Sequence, residues 1–182
     1  MKVTPAGIPD VLLLEPHLHR DNRGFFLESW RADQLPSLGI TAHFVQDNHS
    51  HSVAGTLRGL HYQIERPQGK LVRVVCGEVF DVAVDLRRSS PTFGHWVSTF
   101  LSQKNQSQLW IPPGFAHGFY VLSDSADLVY KCTEYYSAEH DRAVRWDDPE
   151  LAIPWPLRLG CAPIISAKDA AAPLLRDAST YQ

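Results

Sequence analysis

The chain is poor in most of the features that announce a biochemical class. Its three cysteines, Cys76, Cys132 and Cys161, are scattered, with no CxxC pair among them. That argues against a disulfide framework and a cysteine-rich zinc site, and leaves them as small residues buried in strands. The longest apolar runs, such as VLLL at 11–14, are far too short to span a bilayer. The opening MKVTPAGIPD lacks the apolar stretch of a secretory signal, so the expected location is the cytoplasm, away from membranes. Neither sign of charge dominates: the formal net charge is −3, which provides no basic field to hold nucleic acid. A local basic site for a phosphorylated small molecule is still compatible with that balance. P-loop, GxSxG and glycine-rich dinucleotide motifs are missing, so any nucleotide must be held by side chains. Helical signals are few as well.

What the chain does have is period-two alternation. In EVFDVAVDL, Phe80, Val82, Val84 and Leu86 share one face and Asp81, Ala83 and Asp85 the other, a half-buried strand pattern. GKLVRVV precedes it, with Gly77 where a tight hairpin turn is expected. VLLLE, GFFLESW, HFVQDNHS, TLRGLHYQ, HWVSTFL, SQLWIP and DLVYKCTEYY read as further strands, punctuated by RDNRG, RSSPTFG, IPPGFAHG and WDDPE. RADQLPSLG and SAKDAAAPLLRD each hold a short helix, the second with Ser166 as N-cap. Many short strands without intervening helices predict an all-β sandwich or barrel, and a jelly roll among these carries small-molecule sites in its interior. Residues 1–182 read as a single domain of this kind, without repeats or linkers.

Nine histidines are present, and most lie in polar or loop-like stretches where a solvated or locally bonded role suffices. His49 and His51 have the i, i+2 spacing of a strand-borne metal pair, a weak signal alone. His61 follows a glycine that permits close approach, with Arg58 and Lys70 nearby in sequence. On residue type it stands open between base, metal ligand and core histidine. His117 sits in IPPGFAHGF, whose prolines and glycines suggest a rigid, site-positioning loop. Asp169 is a candidate partner for a base histidine, yet SAKD is also a capping pattern, and pattern alone favours the cap. Tyr130 fits a core, surface or general-acid role; Tyr136 has the same parity and would share its face if the strand continued. Arg23 and Glu28 flank a turn and could meet an anionic ligand.

Nine collinear segments between about residues 20 and 170 resemble the dTDP-4-dehydrorhamnose 3,5-epimerase family: DNRGFFLE, FVQDNHS, LRGLHYQ, GKLVRVVCGEVFDVAVDLR, SSPTFG, LWIPPGFAHGF, YKCTEYY, WDDPELAIPWP and SAKD. The resemblance implies a cupin-like jelly roll, commonly a homodimer, that needs no metal or organic cofactor and inverts C3 and C5 of dTDP-4-keto-6-deoxy-D-glucose. It further implies His61 as the base, Asp169 as its carboxylate, Lys70 near the C4 oxygen, Tyr130 as proton donor and His117 lining the sugar pocket. Arg23, Glu28, Gln46, Asp47, Asn48 and Arg58 resemble residues that hold the nucleotide diphosphate and its base, Tyr136 resembles a thymine-stacking aromatic, and Asp141 and Lys168 fall near other contact positions. QIERPQGK departs from the pattern, being more charged than the family's apolar, proline-containing stretch before the lysine. A metal-dependent cupin oxygenase would want histidine at i+2 from His61, where Gln63 stands. One geometric condition follows. Arg58 and His61 are three apart, so on a regular strand they face opposite ways. Sharing one ligand requires a bulge or twist at Gly59; otherwise Arg58 serves a site shared with a partner subunit.

Overall fold

The alternating segments do form strands, and the glycine, proline and asparagine clusters do form the turns between them. The computed structural model describes residues 1–182. In chain order its strands are β1 (Lys2–Pro5), β2 (Leu12–Glu15), β3 (His19–Asp21), β4 (Gly24–Phe26), β5 (Gln46–Val53), β6 (Leu57–Gln63), β7 (Lys70–Cys76), β8 (Glu78–Asp85), β9 (Trp96–Ser102), β10 (Gln108–Ile111), β11 (Phe115–Val121), β12 (Ser125–Cys132) and β13 (Asp141–Ala143). They build a six-stranded sheet, β1-β2-β10-β7-β12-β5, a five-stranded sheet, β13-β6-β11-β8-β9, and a separate β3-β4 ribbon. Every strand pairing is antiparallel, and the two sheets pack face to face as the expected jelly roll. Helix is confined to 3₁₀ turns at Leu35–Leu38 and Leu175–Asp177 and one α-turn, α1 (Ala167–Ala170). No helix is long and apolar enough to cross a membrane.

Three cores hold these layers. Val72, Val74, Leu109 and Leu128 from one sheet meet Val79, Ala83, Val97 and Phe119 from the other between the sheets. On the outer side of the five-stranded sheet, Leu57, Leu60, Phe80, Val82 and Val84 are covered by the C-terminal segment through Val144, Leu151, Trp155 and Leu175. A smaller cluster of Leu14, Leu35, Ile40, Leu71 and Trp110 covers the outer side of the six-stranded sheet.

This layering corrects several expectations. β8 is buried on both faces, not one, because the C-terminal segment covers the side that would otherwise meet water. Its aspartates are fully buried and paired: Asp81 with His117, and Asp85 with Arg87, Ser90 and Thr92. Gly77 is not a hairpin turn. β7 and β8 belong to different sheets, and Gly77, at φ +77°, is where the chain crosses between them. IPPGFAHGF is mostly not a loop, since from Phe115 it runs as β11, a wholly buried central strand. GFFLESW pairs only over Gly24–Phe26, and β12 ends at Cys132, so Tyr136 lies beyond the strand. Cys132 is buried as expected, whereas Cys76 and Cys161 are exposed.

Candidate active site

The inner faces of the two sheets diverge to leave a cavity of about 690 Å³, within the range of small-molecule sites. Ten of the fourteen candidate residues line it: Gln46, Asn48, Arg58, His61, Lys70, Tyr130, Tyr136, Asp141, Lys168 and Asp169.

The geometry of β6 settles how Arg58 and His61 meet there. His61 pairs with His117 across the β6–β11 ladder, but Arg58 pairs with Phe119, so three steps on β6 oppose two on β11. The extra residue is Gly59, at φ +132°. Leu57, Leu60 and Tyr62 stay in the outer core, while Arg58 and His61 both reach the cavity. The bulge needs glycine twice over: a Cβ on Gly59 would lie 2.5 Å from Gly118 Cα, and one on Gly118 would lie 2.8 Å from Arg58 O.

Asp169 serves two roles at once. Its backbone N–H donates to Ser166 Oγ at 3.1 Å, completing the N-cap of α1. Its carboxylate turns into the cavity wall, where Oδ1 lies 2.7 Å from His61 Nε2 and Oδ2 accepts from Gly59 N–H at 3.3 Å. Burial works against ionisation of this carboxyl, but the bonds from His61, Gly59 and Ser166 outweigh it and hold its pKa below the ordinary value. Because a carboxylate only accepts, Nε2 carries the ring proton and Nδ1 keeps the lone pair. The carboxylate thus fixes the orientation and tautomer of the ring, the arrangement that proton abstraction by a histidine requires.

Lys70 and Tyr130 come from β7 and β12 on the opposite sheet, with the ammonium 6.0 Å from the phenol ring centre. Burial pushes Lys70 below the usual lysine pKa, opposed by Cys132, Asp141 and Asp81. Burial likewise raises the Tyr130 phenol, opposed by the positive charge of Arg58. Both shifts keep the groups closer to neutral proton carriers than their free counterparts. At the mouth, Asp141 accepts from Tyr136 Oη at 2.9 Å and from Lys168 Nζ. Arg58 is held by Ser52 Oγ at 3.0 Å and the His51 carbonyl at 3.3 Å. Gln46 Nε2 donates to Asn48 Oδ1 at 3.1 Å, and Gln46 Oε1 accepts from Tyr136 N–H at 2.9 Å.

The other four candidates lie elsewhere. His117 is not on the cavity wall; it is buried behind His61, its Nε2 2.9 Å from Asp81 Oδ2. Asp47 points to the opposite side of β5 and pairs with Lys131. Arg23 is on the exposed β3-β4 ribbon, paired with Asp21, and Glu28 faces Arg31 on the surface. Neither reaches the cavity of its own chain. His49 and His51 both bond Asp127 on β12. Gln63 braces two loops, donating to the carbonyls of Arg66 and Tyr135 and accepting from Ser137 N–H. Sequence reasoning missed Ser52 and Gln68 on the wall and Asp81 behind it; a charged residue at the centre of an apolar strand was the available signal for Asp81.

Fold and site together define a class: an antiparallel jelly roll whose interior holds a histidine–carboxylate pair beside a half-buried lysine and a half-buried tyrosine. The family model for dTDP-4-dehydrorhamnose 3,5-epimerase matches residues 5–177, and the chain belongs to that family. It is 54% identical over 182 residues to a dTDP-4-dehydrorhamnose 3,5-epimerase of Pseudomonas aeruginosa, covering 100% of this chain and 99% of that one. Among solved structures it is similar to a dTDP-6-deoxy-D-glucose-3,5-epimerase from Legionella pneumophila in complex with dTDP-4-keto-L-rhamnose, with 52% identity, a TM-score of 0.94 and coverage of 100% and 98%. A Bacillus anthracis dTDP-4-dehydrorhamnose 3,5-epimerase with TDP and PPi bound gives 51% identity, a TM-score of 0.91 and coverage of 95% and 98%.

Proposed function

We propose that this protein is a dTDP-4-dehydrorhamnose 3,5-epimerase acting on dTDP-4-keto-6-deoxy-D-glucose. The observation that carries the reading is the His61–Asp169 pair opening on the same cavity as Lys70 and Tyr130. Both C3 and C5 are α to the C4 ketone, so their protons become acidic when the enolate is stabilised. His61 Nδ1 takes the proton, the C–H electrons form the C=C bond, and the carbonyl electrons move to the C4 oxygen. Lys70 faces that developing charge, and Asp169 stabilises the imidazolium. Tyr130 then gives a proton to the opposite face, the enolate collapses to the ketone, and configuration is inverted. Proton exchange with solvent returns His61 and Tyr130 to their starting states before the second carbon reacts. Arg58 and Lys168 supply cationic partners for the diphosphate. Every step uses groups of the chain itself, and residues 1–182 act as one cytoplasmic catalytic domain.

Incubation with the substrate in D2O, followed by NMR, tests this. Deuterium at C3 and C5 is the expected result; exchange at a single carbon would instead make the protein a mono-epimerase, and no exchange would sink both readings.

The active form in this reading is a homodimer. All six residues of the β3-β4 ribbon are exposed, and a two-stranded ribbon is marginal in water without a surface to pack on. β5, whose residues line the cavity, is an unpaired sheet edge. Laying one copy's ribbon along the other's β5 gives Arg23 and Glu28 a route to the partner's cavity. Mixing inactive Arg23→Ala and His61→Ala proteins should then restore activity, because one of the two sites in a mixed dimer carries both native residues; no restoration would refute the exchange.

A further inference from the structure

Between β12 and β13 the chain runs from Thr133 to His140 without regular structure and carries Tyr136 to the mouth of the cavity. From Glu134 to Tyr136 its backbone makes no bond to any other backbone group. Side chains hold it instead. Gln68 Nε2 donates to the Glu134 carbonyl at 2.8 Å, and Gln46 Oε1 accepts from Tyr136 N–H at 2.9 Å. Gln63 grips the residues on either side of Tyr136: its Nε2 donates to Tyr135 O at 3.3 Å and its Oε1 accepts from Ser137 N–H at 2.7 Å.

Gln63 is the buried centre of this arrangement, only 3% exposed, and shares the cavity side of β6 with His61. Its Nε2 also donates to Arg66 O at 2.9 Å. The nitrogen thus faces two carbonyls and the oxygen an N–H, and no other orientation of the amide satisfies all three. The backbone of Gln63 is fixed in turn, its carbonyl accepting from Tyr181 Oη at 2.5 Å. Its ladder partner is Asp141, whose carboxylate takes the Tyr136 hydroxyl. One position on β6 therefore fixes Tyr136 from both ends, the backbone through its own amide and the hydroxyl through Asp141. The charged residues of QIERPQGK add an outer tie, Arg66 to Glu134 at 2.6 Å. That pair is well exposed and contributes little, whereas losing a buried amide leaves its partners unsatisfied.

We propose that Gln63 is a positioning residue for Tyr136, holding the ring at the mouth as the wall against which the nucleotide base of the substrate lies. The role rests on the sugar-nucleotide function proposed above. Tyr136 is more than half exposed on a segment without backbone pairing, and such a ring offers a ready flat face only when its ordering has been met before the ligand arrives. Gln63 touches no reacting atom and acts through Tyr136.

Calorimetric titration with dTDP of Gln63→Met, Tyr136→Ala and the double variant tests this. Methionine keeps the length of the side chain and removes all three bonds of the amide. Gln63→Met is expected to weaken dTDP binding about tenfold and raise KM by a similar factor, with kcat falling less than about threefold. Added to Tyr136→Ala, the same change should cost less than about twofold more, because its effect runs through the missing ring. A tenfold loss in both backgrounds, or an affinity of Gln63→Met within about twofold of wild type, overturns the proposal. Wild-type protein that neither binds dTDP nor exchanges substrate protons would instead overturn the sugar-nucleotide reading, and this role with it. Where the methionine variant does not fold, amide hydrogen exchange of the wild type decides: Tyr136 and Ser137 N–H should exchange at least about tenfold more slowly than in an unstructured chain, and slower still with dTDP bound, whereas free exchange overturns the clamp.

Discussion

Replacing Asp169 by asparagine keeps the shape of the side chain and removes its charge, and the surroundings leave the new amide no good orientation. In the native site one carboxylate oxygen accepts from His61 Nε2 at 2.7 Å and the other from Gly59 N–H at 3.3 Å. An amide has one accepting end. With its carbonyl towards His61, the NH2 group meets the Gly59 N–H, donor against donor. With its carbonyl towards Gly59, the NH2 donates to Nε2 and drives the ring proton to Nδ1, so the base loses its lone pair towards substrate. In the first orientation the imidazolium formed during proton abstraction loses a charge-assisted bond of about 1.5–3 kcal/mol, roughly a 10- to 150-fold fall in kcat. In the second, the loss approaches the roughly 10²- to 10⁴-fold contribution of general-base catalysis. The side chain of Asp169 is only 4% exposed and sits behind His61, so KM should change little. Deuterium incorporation at C3 and C5 under single-turnover conditions measures the step directly. A folded Asp169→Asn protein exchanging within threefold of the wild-type rate would refute the assignment of the pair.

Tyr130→Phe should retain exchange of the abstracted proton while net inversion falls by about 10²- to 10⁴-fold, seen by NMR as deuterated but unepimerised substrate. Gly59→Ala should lower stability by more than about 1 kcal/mol, since alanine is strained at a positive φ and its Cβ would strike Gly118; the same variant should weaken substrate binding by removing Arg58 from the cavity, measured by urea melts and dTDP titration. Burial opposes ionisation of Asp85, but its bonds to Arg87, Ser90 and Thr92 prevail and bring its pKa from 3.8 down to about 2. The folded pKa lies below the unfolded one, so this stabilisation is complete above about pH 4 and is lost as the pH falls towards 2. Asp85→Asn should therefore cost on the order of 2 kcal/mol at pH 7 and converge with wild type near pH 2 in denaturant melts, with turnover unaffected.

Much of the architecture is readable from residues alone because period-two alternation is a direct consequence of strand geometry. The errors share a physical cause. Alternation reports which side chains are apolar, but it does not report what later arrives to cover a face; β8 looked half-solvated because the segment that buries it begins some sixty residues further on. Gly77 carried a genuine turn signal, yet the same backbone conformation serves a hairpin and a crossover between sheets, and only long-range pairing separates them. The glycines of IPPGFAHGF suggest a loop, whereas Gly118 is there because the Gly59 bulge presses against it. In the site, the conflict between Arg58 and His61 was legible as a parity problem, and the bulge resolves it. Asp169 was underrated because a capping pattern describes its backbone N–H and says nothing about where the carboxylate turns. Arg23 and Glu28 were grouped with the cavity residues by motif, and the fold of one chain keeps them apart from it.

His61 and Asp169 are 108 residues apart, and the carboxylate comes from the segment that closes over the outer side of the five-stranded sheet. A chain that has paired its strands but not yet laid down that cover therefore has the cavity and the histidine without an oriented base. On the proposed mechanism, proton abstraction is gated by completion of the tertiary structure: in a refolding experiment, the return of isotope exchange would time the last docking event rather than the formation of the sheets.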